Sequence, residues 1–237
     1  MRKRYEINLE DSGIKEMLKE FDKEKRVNEF SSILSEIIES LSNENYTVFD
    51  AQKIMDGHFT DKPYDIFISH SHGDIDYVRK LAGYYEKQGK SVFIDSEYWD
   101  FSDKLLKQLD DEFSRIEGST NFSYERRNIT TTVVHNLLAV SLEKMIHECK
   151  YFVFAHSDKT AGSNLHELLE YANSSGKHTI SPWIYKELIT ADIIYKNRPE
   201  YIEKSGETRS ASPLFVYDIK ELTKDYCKLD LSNMELN

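Results

Sequence analysis

The sequence predicts an α/β fold: an open, mostly parallel, doubly wound sheet with an N-terminal helical extension. Three observations lead there. Short apolar runs rich in β-branched and aromatic residues, "YDIFISH" (64–70), "SVFID" (91–95) and "KYFVFAH" (150–156), read as buried strands. An amphipathic stretch, "GDIDYVRKLAGYYEKQGK", joins the first two, with Val78, Leu81, Ala82 and Tyr85 on one helical face and Gly89 as its stop. A strand, a helix and a strand with short links form a βαβ unit, which imposes a parallel sheet and a right-handed crossover.

Taken in order, residues 1–60 read as a polar helical extension and 61–237 as the α/β domain. In the extension, Ile14, Met17, Leu18 and Phe21 share one face of a weak helix. Phe30, Ile33, Leu34, Ile37, Ile38 and Leu41 mark a stronger one that needs a partner, because an isolated helix of this length is marginal in water. "DGHFTDKP" is a connector. After Asp95 the expected order is a loop, "SEYWDFS", and a helix lined by Leu105, Leu106, Leu109, Phe113 and Ile116. A polar excursion over 117–131 follows, then a helix carrying Val134, Leu137, Leu138, Leu142, Met145 and Ile146. Beyond the third strand a polar region runs to about residue 180, with a short helix at "NLHELLEYA". "SPWIYKELITA" (181–191) starts the next helix, with Ser181 as N-cap and Pro182 in its first turn. "SPLFVYD" (212–218) reads as a last strand and "IKELTKDYCKLDL" as a final helix.

Composition narrows the function. The chain has 237 residues and a net charge of −11, which opposes non-specific binding to nucleic acid or anionic membranes. No run of about 18 apolar residues offers a transmembrane helix. The basic start, "MRKRYEINLEDSG", has no apolar stretch behind it and does not read as a signal peptide. Cys149 and Cys227 lie in no CxxC pair, which suits a cytoplasmic protein with free thiols.

Three motifs suggest chemistry. "GYYEKQGKS" (83–91) imitates a phosphate-binding loop, but five residues separate Gly83 from Gly89, and here a helix ends and a strand begins, the reverse of that motif. "HSHGD" (70–74) has a His-x-His-x-Asp spacing after a strand. Two histidines can grip a zinc ion, but a catalytic site needs a third ligand, and none of the other histidines has ligand spacing. No metal is therefore expected. Glu167 and Glu170 in "HELLEYA" read as a solvated helix face.

In their order and strand context, these pieces resemble a bacterial Toll/interleukin-1 receptor (TIR) domain over roughly residues 64–229. "YDIFISHSHGDIDYVRKLAGYYEKQGKSVFID" resembles its first strand, first helix and second strand; "SEYWDFSDKLLKQLDDEF" resembles its flexible loop and second helix. "SPWIYKELITA" resembles its W-x-x-x-E helix, here Trp183 and Glu187. Two stretches depart from the family pattern, the apparent insertion at 117–131 and the long link 157–180. The resemblance implies a TIR/flavodoxin-like sheet. It also implies an enzyme that cleaves the nicotinamide–ribose bond of NAD, as the NAD-processing component of a Thoeris-like antiphage system. It further implies a homo-oligomer and a downstream effector that responds to a nucleotide product. The same resemblance admits a non-catalytic interaction module; the zinc hydrolase is a third reading.

The chemistry can be reasoned from the bond. Nicotinamide leaves as a neutral molecule, so no general acid and no cofactor are needed, and the demand falls on a ribose that becomes oxocarbenium-like. One carboxylate about 4 Å from that cation, at an effective dielectric near 20, contributes about 4 kcal/mol, roughly a thousandfold in rate if fully expressed in the transition state. Glu187 is the candidate for that role, with Trp183 one turn earlier on the same face as a pocket wall. Ser69, His70, Ser71 and His72 follow the first strand and are expected to line the substrate pocket. Trp99 and Phe101 are candidates to stack on nicotinamide or adenine.

Overall fold

The computed structural model describes residues 2–21, 63–161, 178–196 and 217–236, with side chains throughout except at 98–102, 161, 196 and 217–218. The expected stripe 30–41, Glu167 and Glu170 lie outside these residues. The chain divides into two compact units, one from Met1–Glu24, Tyr64–Ile94 and Ile146–Asn237, the other from Lys25–Pro63 and Asp95–Met145.

The first unit is built on five parallel strands. They are β1 (Lys3–Asn8), β2 (Ile66–His70), β3 (Val92–Ile94), β4 (Tyr151–His156) and, last in the chain, β7 (Cys227–Leu229). Their order is β3-β2-β4-β1-β7. Alternation along each strand separates two faces. Tyr5, Ile7, Ile66, Ile68, Val92, Ile94 and Val153 pack on α1 (Ser12–Leu18) and α2 (Ile75–Lys87) through Ile14, Leu18, Val78, Leu81, Ala82 and Tyr85. The opposite face carries Phe67 stacked on Phe93 at 5.3 Å and on Phe152 at 5.5 Å, and it is covered by α6 (Pro182–Lys196), whose Tyr195 ring meets Phe152. Helices on both faces make this a doubly wound, flavodoxin-like α/β fold.

The N-terminus corrects the helical reading of its first residues. Ser12–Leu18 is the expected helix, N-capped by Asp11 and burying Ile14 and Leu18. Lys3–Asn8 is instead an interior strand, paired with β4 from Lys3↔Tyr151 to Asn8↔His156 and with β7 on its other side. In the flavodoxin-like order 2-1-3-4-5, counted from β2, it occupies the fourth place. The polar side chains of "KRYEIN" find partners far along the chain: Arg4 Nη1 meets Asp192 Oδ1 at 2.6 Å, and Glu6 pairs with Lys228.

The C-terminus differs in two further ways. The strand expected over 212–218 is represented among the described residues by β6 (Tyr217–Asp218), which pairs antiparallel with β5 (His178–Thr179) apart from the main sheet. The expected final helix shrinks to α7 (Lys220–Thr223), and "CKL" becomes the edge strand β7.

In the second unit, the expected loop after Asp95 is helical: α3 spans Ser96–Leu109, with Ser96 and Glu97 buried. A π-helical turn, Asp110–Ser114, continues it. A tight hairpin follows, closed by the Arg115↔Phe122 bridge and turned at Gly118, whose φ of 70° favours glycine. The long helix α4 (Tyr124–Glu148) then leads back to β4.

Candidate active site

Open parallel sheets place ligands outside the carboxyl ends of strands, at the point where the connections diverge. Here that point lies between β2 and β4. The chain leaves β2 for α2 on one face, and the chain beyond β4 reaches α6 on the other.

A continuous run of polar contacts crosses this point. After β2, Ser71 is extended and hands the chain to a 3-10 turn, His72–Asp74. Asp74 is buried, and its carboxylate accepts the hydroxyl of Ser157 just after β4. Lys159 Nζ sits 3.2 Å from Asp74 Oδ1 and donates to the Gly73 carbonyl at 2.7 Å. Its alkyl chain lies over Gly73, where a Cβ would stand 2.9 Å from Lys159 Cδ, so the glycine permits the contact. In the short helix α5 (Asp158–Ala161), Thr160 Oγ1 accepts the Ser157 amide at 3.0 Å. The Thr160 carbonyl accepts Thr179 Oγ1 at 2.8 Å. Thr179 Oγ1 in turn accepts the Ser181 amide at 3.1 Å, and Ser181 Oγ caps α6 by accepting the Ile184 amide at 3.3 Å. The start of α6 is thus fixed to the loops at the carboxyl end of the sheet.

The far end of α6 is fixed at the opposite edge. Tyr195 Oη donates to the carbonyls of Cys149 at 3.0 Å and Ile146 at 3.3 Å, ahead of β4. The helix therefore runs against the strands, and Glu187 lies about 7 Å from its N-terminal end. Ile184, Leu188 and Ala191 are buried around Glu187, and Glu187 itself is only 2 % exposed. The carboxylate thus belongs to the helix face turned inward, on a face otherwise apolar. Ser69 points to that same side of the sheet, sharing the pleat with Phe67. It is fully buried, and its hydroxyl meets no hydrogen-bond partner among the described residues.

The other expected site residues divide. His70 is buried, with Nδ1 3.3 Å from the Ile68 carbonyl oxygen, and its strand parity puts it on the aliphatic face, away from α6. Ser71 is half-buried and His72 exposed in the loop above. Among the described residues no three His, Cys, Asp or Glu side chains converge as a metal site, so the zinc reading gains no support from this geometry. Trp183 is half-buried one turn before Glu187. Trp99 and Phe101 fall within α3, and their side chains lie outside the described set. Sequence reasoning missed Ser157, Lys159, Thr160 and Thr179. The one available hint was the polar cluster "HSDKT" directly after a buried strand. Among the described residues no helix is long and apolar enough to cross a membrane.

No family model matches the chain, and neither a curated protein nor a solved structure is significantly similar to it.

Proposed function

We propose that the chain is an NAD glycohydrolase or ADP-ribosyl cyclase of TIR type, with Glu187 as its catalytic carboxylate. The observation that carries this reading is the burial of Glu187 on the sheet-facing side of α6, near the carboxyl ends of a parallel sheet. In the reaction the C1′–N bond breaks and its electron pair stays on the nicotinamide nitrogen, so nicotinamide departs neutral. The ribosyl cation left behind faces the Glu187 carboxylate. Water, or a nucleophilic atom of the same nucleotide in the cyclase case, then bonds to C1′, and any proton it carries is released to solvent water. The hydroxyl of Ser69 is available to a ribose oxygen. At 2 % exposure the carboxylate is closed from solvent, so turnover requires the residues around it to open. Assembly into a homo-oligomer is the expected trigger. From the sequence resemblance to TIR domains, the proposed setting is cytoplasmic antiviral defence, with the nucleotide product read by a separate effector.

Glu187→Gln tests this. The amide keeps size and removes charge, so NAD cleavage should fall at least about a hundredfold in a protein that melts like wild type. Glu167→Gln and Glu170→Gln should be near neutral. Wild-type turnover by folded Glu187→Gln removes Glu187 from the mechanism.

One observation favours a second reading, a non-catalytic module that assembles with copies of itself. Ile129, Val133 and Val140 leave an exposed apolar stripe along α4, at 65 %, 46 % and 51 % exposure. That reading requires no NAD turnover in any assembly state, and product analysis by mass spectrometry separates the two.

A further inference from the structure

The second unit contains a groove that the chemistry at Glu187 does not use. Its volume is about 740 Å³, within the range of small-molecule sites. It lies between the 115–122 hairpin and the first turns of α4. The hairpin is held in shape by Ile116 N donating to Asn121 O at 3.0 Å, Ser119 N to Ile116 O at 3.0 Å, and Ser123 N to Ser114 O at 2.7 Å.

The groove's cation is positioned from beneath. Asp110, 5 % exposed in the π-helical turn, accepts Thr130 Oγ1 at 2.5 Å, Ser114 Oγ at 3.3 Å and Arg127 Nε at 3.0 Å. π-helical turns recur at functional sites. Arg127 is bound through Nε alone. Its two Nη groups hydrogen-bond no described residue, and its side chain is 51 % exposed and lines the groove. A guanidinium held this way presents a fixed fork, the geometry that grips phosphate. On one side its plane meets the Phe122 ring, with the guanidinium carbon 5.3 Å from the ring centre.

The remaining lining is selective. In a chain with 42 acidic residues, no carboxylate among the described residues lines this groove. Asn121, Asn128 and Thr131 supply neutral hydrogen-bonding groups. Tyr124 is 80 % exposed and Ile116 47 % exposed, an unusual outlay of apolar surface at one place. One fixed cation, amides and an open aromatic ring together match a ligand with a phosphate at one end and a flat base at the other.

We propose that this groove binds a nucleoside phosphate, the phosphate on Arg127 and the base against Tyr124. Binding here does not depend on the proposed cleavage at Glu187, and either assignment can fail alone. Asp110 offsets part of the arginine charge, so affinity depends on the amides and the ring together. The test uses the full chain and a photoreactive azido derivative of adenosine monophosphate, with the labelled peptide identified by mass spectrometry. Label should appear within residues 116–131 and be displaced by adenosine monophosphate, but much less by adenosine or inorganic phosphate. Tyr124→Ala, at a site too exposed to threaten folding, should weaken binding at least about tenfold. Arg127→Gln should do the same and remove the salt dependence of binding. Absence of label from 116–131 overturns the proposal. Displacement by phosphate as effective as by the nucleotide overturns the nucleotide assignment, and undiminished labelling of Tyr124→Ala does so as well.

Discussion

The two faces of the five-stranded sheet come from alternate residues of the same strands, yet they are built from different chemistry. The face under α1 and α2 is aliphatic at its centre. Apart from Lys3 and His70 at its two edges, its strand residues are uncharged. The face under α6 begins with a row of rings, Phe93, Phe67 and Phe152, and the next place in that row is Arg4. One row nearer the carboxyl ends run Ser69, Phe154, Glu6 and Lys228. A parallel sheet buried on both sides usually reads as unbroken apolar sequence. Here polar residues enter one face where a distant group answers them, Asp192 for Arg4 and Lys228 for Glu6. The aliphatic face supports the fold. The other supports the fold and also carries charge, and Glu187 lies on that side.

The largest effect that tests this contrast is at Phe152. Its ring stacks on Phe67 and meets Tyr195 and Tyr226 edge-on at 6.5 and 6.1 Å, so one side chain joins strand, helix and C-terminal segment. Phe152→Ala should cost about 3–5 kcal/mol in urea unfolding. Leu81→Ala on the aliphatic face should cost about 2–5 kcal/mol, toward the lower end, because aliphatic neighbours close more readily around a small void than stacked rings do. Equal losses with equal m-values would mean that the rings act as bulk and not as a connected row.

How much of this was legible follows from where each partner lies. β2, α2, β3 and β4 could be read because their apolar spacing alone specifies them. β1 was legible only in part: Tyr5 and Ile7 alternate with Arg4 and Glu6, the signature of a half-buried strand, whereas the sheet buries both sides. What allows it are contacts 188 and 222 residues away along the chain. The first half of α3, "SEYWDFS", reads as a loop because its aromatic and acidic residues lack helical periodicity, whereas Leu105, Leu106 and Leu109 mark its second half as helix. At the candidate site, the burial of Glu187 is legible from Ile184, Leu188 and Ala191 around it. The Asp74–Ser157 contact is not, because it spans 83 residues and depends on β4 lying beside β2.

Arg4 gives the next effect. Its side chain is 8 % exposed, ion-paired to Asp192, and lies 4.9 Å from the centre of the Tyr226 ring. Arg4→Met should cost about 1–3 kcal/mol, less than loss of a fully buried pair, because Asp192 keeps 22 % exposure and part of its hydration. Asp192→Leu added to it should recover a good part of the loss, since the carboxylate that faced Arg4 is then gone. A double variant whose cost equals the sum of the singles would show that the pair contributes nothing and that the rings hold this face alone.

The smallest effect belongs to the aliphatic face, where the one phenol of α2's buried stripe is Tyr85. It is fully buried, its hydroxyl meets no hydrogen-bond partner among the described residues, and burial pushes its ionisation well above the usual phenol range. At neutral pH, Tyr85→Phe should lie within about 1 kcal/mol of wild type and on the stabilising side, because it removes a desolvated hydroxyl. The sign at high pH follows from linkage. A raised folded value means that the native state keeps the proton after the unfolded chain has begun to lose it near pH 10, so stability present below that point declines as pH rises. The variant lacks this one site, so its advantage should widen by up to about 1.4 kcal/mol per pH unit above about pH 10. Tyr195 and Tyr226, raised by burial on the other side of the sheet, keep the remaining decline in both proteins. Urea unfolding at neutral pH and near pH 11 measures the gap. A gap that stays constant would show that water reaches the Tyr85 hydroxyl, and the aliphatic face would then be less sealed than its neighbours make it.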